Sequence, residues 1–338
     1  DYLSKSTNIS YVKLDMGKHK NIIDEINDFM CKLFPETNLR NYMWQHLAST
    51  LIGENNDQTF NIYNGNGSNG KSKLVELMGP ENMDRIRKTK IAKKKAQTTA
   101  KRNTIGSTSS EVVQLKGVRY AVMQEPSKGD RLNEGIMKEI TGGDPLQGRA
   151  LFKDSITFIP QFKLVVCTNT LLDVNSNDEG TWRRLCVCEF KAKFCAKADF
   201  DDEREYQFEI DKKLGEKYIK WCPIFMSMLV EKAYETGGLV QICDAVKASS
   251  SSYRNTQDYY SEFVSDKVKK TTGGKIKETS LYEVFKTWFQ LHHGKNVPKG
   301  RDLFEFMNKK FGRKQRGIWN NLSIVYDDYD PSLDEYEE

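Results

Sequence analysis

Ile62 to Val75 reads IYNGNGSNGKSKLV. Within it, Gly65, Asn66, Gly67, Ser68, Asn69, Gly70, Lys71 and Ser72 follow the spacing Gly-x-x-x-x-Gly-Lys-Ser. That spacing wraps backbone N–H groups around a nucleotide's phosphates and sets them against the start of a helix. The glycines permit the turn and the close approach. Lys71 would reach the β- and γ-phosphates, and the Ser72 hydroxyl would ligate magnesium. Splitting ATP at such a loop also needs a carboxylate at the tip of a neighbouring strand. Glu125, in RYAVMQEP, is the carboxylate placed there, and the next acid is Asp130 in a polar loop. A second apolar run, FKLVVCTN, ends in Asn169, whose amide can orient water and touch the γ-phosphate. A third is preceded by TWRRL, where Arg183 and Arg184 stand side by side. An arginine supplied by a neighbouring subunit can stabilise the charge of phosphoryl transfer.

Elements to position these groups are legible around them. TFNIY (59–63) reads as a short strand, the glycine-rich stretch as its loop, and a helix opens near Lys71. VRYAVM (118–123), FKLVVCT (162–168) and RLCVCEF (184–190) are short, apolar and valine-rich. Such runs suit strands buried on both faces of a parallel sheet. Asn21 to Ile52 carries apolar residues at helical spacing, and Asp199 to about Val246 reads as helical. KASSSSYRN (247–255) reads as a serine-rich linker. Beyond it, three short amphipathic helices and a terminal strand within about 256–326 suit a winged-helix module. RDLFEFMNKKFGRK would be its recognition-type helix and RKQRGIWNN the start of its wing. Both DNA binding and a purely structural or protein-docking role fit that module. The aromatics of YYSEF and FKTWF recur at helical spacing and read as core.

Composition bounds the answer. The 338 residues are 38% hydrophobic and 29% charged, with a net charge of +5. This fits a globular chain of two or three domains. No apolar run approaches the roughly 20 residues that cross a bilayer, and no signal peptide is visible. A chain that starts at Asp1 reads as a piece of a longer polypeptide. Seven cysteines form no CxxC pair, which points to a reduced, intracellular protein. Cys186, Cys188 and Cys195 read as two strand-face thiols and a loop thiol rather than metal ligands. Charge is uneven: Arg85 to Arg102 holds nine Lys/Arg and no acid, whereas Asp327 to Glu338 holds seven acids. The basic run is either a phosphate contact or a solvated linker. The acidic stretch reads as an unstructured tail.

In this order the motifs resemble the superfamily 3 helicases, and more narrowly the D5-like helicases of large DNA viruses and related phage and plasmid primase-helicases. The order is GxxxxGKS, an apolar strand ending in Glu, KEITGGDP, the FKLVVCTN strand and WRRL. The diagnostic stretch is KEITGGDPLQGRALFKDSITFIPQFKLVVCTN (138–169). The resemblance covers about Asn21 to Phe194 well and the rest more loosely. It implies an α/β, AAA+-like P-loop NTPase core with a parallel sheet. An N-terminal helical collar (1–53) would precede the core (54–198). A helical region with the linker (199–254), the winged-helix-like domain (255–326) and the acidic tail (327–338) would follow. It also implies a homo-oligomeric ring, usually a hexamer, with ATP and Mg2+ between subunits and single-stranded DNA in the channel.

Carried over residue by residue, Lys71 and Ser72 are the phosphate-loop pair, Glu125 the catalytic acid and Asn169 the sensor. Ser72 and Glu125 would hold the metal. Arg184 better matches the family's finger, with Arg183 in reserve, and Lys138 stands where a basic residue reaches the neighbour's nucleotide. The DNA-contacting hairpin is RALFKDSITFI, with Lys153 and Phe152 near its tip and Arg149 in support. One departure concerns magnesium: Gln124 stands where many family members have a second acid. The function implied is ATP-driven translocation on single-stranded DNA and unwinding of forked duplex in viral replication, in host cytoplasm or nucleus. A primase domain in the same longer chain and other replication proteins are the implied partners, with no membrane. The alternative is a DNA-stimulated ATPase used as initiator, loader or packaging module without strand separation.

Overall fold

The computed structural model describes residues 9–79, 110–124, 132–149, 152–174, 178–201, 203–293 and 297–326. Glu125, the basic run at 85–102 and the acidic tail lie outside them. The chain divides into two compact units, Asp1–Arg254 and Asn255–Glu338.

The first unit is built on four parallel strands: β1 (Phe60–Asn64), β2 (Tyr120–Gln124), β5 (Lys163–Thr168) and β6 (Leu185–Glu189), in the order β2-β5-β1-β6. All four strands come from the apolar runs named above. They are mostly apolar because helices cover both faces, leaving no side for water. Tyr63, Val165, Cys186 and Cys188 pack on one face with α1 (Lys20–Leu33), α2 (Thr37–Ser49), α3 (Lys71–Leu77) and α7 (Leu214–Thr236). Ile62, Val166 and Val187 pack on the other. That face also holds Met137 and Ile140 of α5 (Glu134–Thr141) and Tyr253 of α8 (Asp244–Thr256). The two amino-terminal helices therefore share a core with the sheet. Cys186 and Cys188 sit on the inner face of β6, where burial raises both thiols, Cys186 to about 11. Cys195 lies apart in β7 (Lys193–Cys195), which pairs with β8 (Gln207–Glu209). Among the described residues no helix is long and apolar enough to cross a membrane. None of their His, Cys, Asp or Glu side chains gather in threes that could hold a metal.

Three expectations change. The serine-rich stretch at 247–255 is helix, inside α8, because its serines have work to do within unit 1: Ser250 Oγ accepts from Val187 N at 3.0 Å, which ties the helix to β6. The described residues between 199 and 213 hold no α-helix. A 3-10 turn (Lys197–Asp199) ends at the start of this stretch and β8 lies within it, before α7 begins at Leu214. In the second unit, a lysine-rich strand that sequence patterning passed over, β9 (Val268–Lys277), pairs antiparallel with β10 (Ile318–Ile324).

The second unit runs α9 (Tyr259–Lys267), β9, α10 (Glu278–His292), α11 (Gly300–Phe311), β10, which is the element order of a winged-helix module. Its aromatics form the core, with Phe263 and Phe285 fully buried and 5.1 Å apart.

Beneath β1 lies a buried polar cluster. Tyr42 Oη donates to Asn61 Oδ1 at 2.7 Å, and His46 packs between the rings of Tyr42 and Tyr63. His46 is 1% exposed, and its Nε2 is buried without a hydrogen-bond partner. Burial, with the nearby Lys163 charge, pushes its pKa from 6.5 down to about 3. The folded protein thus keeps His46 neutral while the unfolded chain takes up a proton below pH 6.5. Its contribution to stability is complete above pH 6.5 and is lost progressively as pH falls towards 3. Urea midpoints at pH 7 and 5.5 should show a loss of about 1 kcal/mol in the wild type that is missing in His46→Leu.

Candidate functional site

Strand β1 delivers the chain into the glycine-rich turn at the carboxyl edge of the sheet. Its last residue, Asn64, donates through Nδ2 to both carboxylate oxygens of Glu189, at 3.1 Å each, and so locks the ends of β1 and β6 together. Gly65 has φ +153°, and a Cβ there would lie 2.7 Å from Phe190 O and 2.4 Å from Asn69 Nδ2. Gly67 and Gly70 have φ of 80° and 82°, and Ser68 between them has 49°. Left-handed residues in such a series make the concave backbone nest that binds anions. The turn is pinned from behind, since Phe194 N of β7 donates to Ser68 O at 2.7 Å. Asn66 is exposed, whereas Asn69 is buried with Nδ2 unpartnered.

Lys71 opens α3 and is 7% exposed. Its Nζ donates to Gly65 O at 2.5 Å and to Asn169 Oδ1 at 3.0 Å. Two residues 98 apart in sequence therefore meet at one point. Parallel registry is the cause: Asn64 of β1 stands level with Thr168 of β5, and Asn169 is the next residue. Strand β2 ends at Gln124, level with Cys167. Gln124, Asn169, Lys71 and Ser72 all line one cleft of about 740 Å³. Glu125 lies outside the described residues.

The other wall of this cleft escaped the sequence reading. It comes from α1 (Glu25, Asp28, Phe29), from Ile210 and Asp211 in the segment that leads into α7, and from Trp221 within α7. Trp221 packs on Phe29 with ring centres 5.6 Å apart and the planes tilted by 56°, and it donates from Nε1 to Glu25 Oε2 at 2.8 Å. Lys217 pairs with Asp211 at 2.8 Å, and its hydrogen bond holds that carboxyl below the usual range. Nothing in the sequence marks these residues, because α1 reads as an ordinary amphipathic helix.

The basic residues expected to act across subunits gather elsewhere. Arg183 and Arg184 precede β6, so they sit at the amino edge of a sheet whose carboxyl edge carries the glycine turn. A five-residue strand puts about 13 Å between those edges. Arg184, the residue better matched to the family's finger, is buried at 8% exposure. Its Nη1 donates to Gly180 O at 2.6 Å and its Nη2 to Gln58 Oε1 at 2.7 Å. Burial and the adjacent Arg183 pull its pKa down. Arg183 is exposed and reaches Gln58 Oε1 at 2.9 Å through Nη2. Lys138, on α5, forms an ion pair with Asp178, the residue that caps the helix (α6, Glu179–Trp182) leading into the arginine pair. Lys138 and the two arginines therefore share one basic cluster.

The expected hairpin is present as β3 (Leu146–Arg149) and β4 (Ser155–Phe158), closed by the pair Arg149–Ser155. Arg149 Nε donates to Lys153 O at 2.8 Å and braces the tip. Phe152 has φ +59° and is 95% exposed, and Lys153 beside it is exposed too.

Comparison with known proteins agrees with the motif order. Residues 63–184 match a family model described as a family of unknown function (DUF5906). The chain is 32% identical over 321 residues to "Putative helicase L207/L206" of Acanthamoeba polyphaga mimivirus, covering 92% of this chain and 33% of that protein. It is 28% identical over 358 residues to "Putative helicase 121R" of Invertebrate iridescent virus 3, covering 98% and 37%. A protein of African swine fever virus named as a primase is 25% identical over 246 residues, covering 70% and 25%. The chain's relatives are proteins named as helicases and primases of large DNA viruses. The D5-like resemblance drawn from the motifs holds. The chain spans about a third of the length of the first of these relatives. Among solved structures, the apo C-terminal region of NrS-1 (305–718) has a TM-score of 0.47 at 14% identity, covering 87% of this chain and 74% of that one.

The turn makes unequal demands on its glycines. Gly65→Ala meets backbone at 2.7 Å, whereas a Cβ on Gly67 meets nothing within 4 Å and carries only the strain of its positive φ. Thermal unfolding should therefore show Gly65→Ala as the costlier change, with Gly67→Ala nearer the ~1 kcal/mol of a left-handed alanine.

Proposed function

We propose that this chain is the motor segment of a viral replication helicase, which splits ATP between subunits of a ring to draw single-stranded DNA through its centre. The observation that carries this reading is the separation of charge across one sheet. Lys71 and Asn169 meet at the carboxyl edge, while Lys138, Arg183 and Arg184 occupy the amino edge. Residues some 13 Å apart along a strand cannot grip the same phosphoryl group. A neighbouring copy, however, can present its amino edge to this carboxyl edge.

The cradle fits a triphosphate. It offers a left-handed backbone nest, a buried ammonium and an unpartnered Asn69 Nδ2 in a cleft of about 740 Å³. Lys71 holds the outer phosphates, and Asn169 positions their far side. Gln124 lies at the end of β2, so Ser72 and Glu125 are the residues to hold magnesium, which would neutralise charge on the transferring phosphoryl group. Glu125 would take the proton of the attacking water. Across the interface the exposed arginine suits the finger better than the buried one, which moves that role from Arg184 to Arg183. Lys138 supports it.

The hairpin tip couples this cycle to DNA. An exposed lysine grips one backbone phosphate without reading bases, and an exposed aromatic ring offers a stacking face to any base. The relatives are about three times longer, which leaves room for a primase domain in the same polypeptide.

Lys71→Ala should abolish ATP hydrolysis, and Arg183→Ala should lower it by about 10³-fold in the assembled protein while sparing nucleotide binding. Lys153→Ala and Phe152→Ala should leave DNA-free hydrolysis intact and impair displacement of a strand from a forked duplex. A ring that hydrolyses ATP on single-stranded DNA yet displaces no strand would point to a loader or packaging ATPase.

A further inference from the structure

We propose that Gln58 is the positioning residue of the arginine pair, an inference that rests on the reading of Arg183 as acting on a neighbour's nucleotide. Gln58 lies in the loop that feeds β1, half-buried, with its backbone left-handed at φ +52°. Its Oε1 accepts from Arg183 Nη2 at 2.9 Å and from Arg184 Nη2 at 2.7 Å. Its Nε2 donates to Gly142 O at 2.9 Å, in the turn that follows α5 and Lys138. One amide thus joins three segments: the approach to β1, the end of the Lys138 helix and the junction before β6. Neighbouring bonds reinforce the same joint, with Asn55 Nδ2 on Thr141 O at 3.1 Å and Phe60 N on Arg184 O at 2.7 Å.

The chemistry favours an amide at this position. Two adjacent guanidiniums repel, and Arg183 acts on Arg184 in that sense. A neutral carbonyl oxygen can accept from both and hold them together without cancelling their charge. A carboxylate would hold them as well but would neutralise one charge and could not donate to Gly142 O. Arg184 then serves as the inner member, fixed to Gly180 O, and Arg183 keeps its remaining donors for a phosphoryl group. Because Gln58 feeds β1, it also joins this edge to the strand that ends in the Gly65–Lys71 turn.

The test is subunit mixing with the full chain. Gln58→Leu should lower ATP turnover by about 10²-fold with nucleotide affinity unchanged, as expected for a catalytic group displaced by about 1 Å. Mixed with Lys71→Ala subunits, it should recover turnover, since its intact Lys71 site then meets an intact arginine pair. Arg183→Ala should recover in the same mixture. Gln58→Glu, which keeps the acceptor and the side-chain size but loses the donation to Gly142 O, should be impaired and recover likewise, and it decides the matter if Gln58→Leu does not fold. Unchanged turnover in the Gln58 variants overturns the proposal. So does recovery by Arg183→Ala without recovery by either Gln58 variant, and that result leaves the shared site standing. If none of them recovers, the shared site falls and the role of Gln58 with it.

Discussion

The structure depends on the placement of β1 between β5 and β6 with all three strands parallel and level. Asn64 is level with Thr168 on one side and Glu189 on the other, and this brings Asn169 within 3.0 Å of Lys71. A slip of one residue in either pairing would turn every side chain to the opposite face. Tyr63 and Cys188 would then leave the helices they pack against. The glycine turn would lose the Asn64–Glu189 bond that anchors it. Registry is therefore fixed by the core, and the site inherits it.

The same sheet buries more polarity than its apolar strands suggest. Asn61 points inward from β1 and is matched by the Tyr42 hydroxyl. Lys163 at the head of β5 is 4% exposed and paired with Asp57 at 3.2 Å, and Arg184 is inserted at the head of β6. Buried charges are costly unless paired or hydrogen-bonded, so they are poor evidence of stability and better evidence of a constraint. Here the constraint falls on the amino edge, where the loop at 54–59 supplies Asp57 to Lys163 and Gln58 to Arg184, while Asn55 ties the same loop to Thr141 O.

What was legible in the sequence was whatever depends on local pattern. Three of the strands announced themselves by short valine-rich runs, β1 by TFNIY leading into the glycine-rich loop, and the glycine turn by spacing. The hairpin was reached through the resemblance, and its tip falls where Phe152 and Lys153 were placed. What escaped depends on tertiary partners. The serines of 247–255 read as a linker because small polar residues disfavour helix in isolation, yet Tyr253 buries beneath them and Ser250 bonds to β6. The β9 strand escaped because lysines and a Gly-Gly pair lack strand character by propensity, while its exposed lysines suit an edge. The cleft wall from Glu25 to Phe29 could not be foreseen, since a helix presents the same amphipathic pattern whether its outer face meets water or a ligand.

The arginines show how far a single residue shift matters. From the residues alone Arg183 and Arg184 are nearly equivalent, and the family resemblance, with its arginine followed by a strand, favours the second. In the fold, the turn of α6 sends one guanidinium inward to Gly180 O and Gln58 and leaves the other at the surface. A group that must reach a neighbouring molecule needs exposure, and a group that must hold another in place needs burial. On the proposed reading the pair meets both needs, with one residue each. On the reading proposed above, an inner arginine held to Gly180 O and Gln58 Oε1 gives the outer one a firmer base, so less side-chain freedom would be lost when a phosphoryl group arrived. Two arginines in sequence are thus better understood as an anchor and a reaching group than as a duplicate.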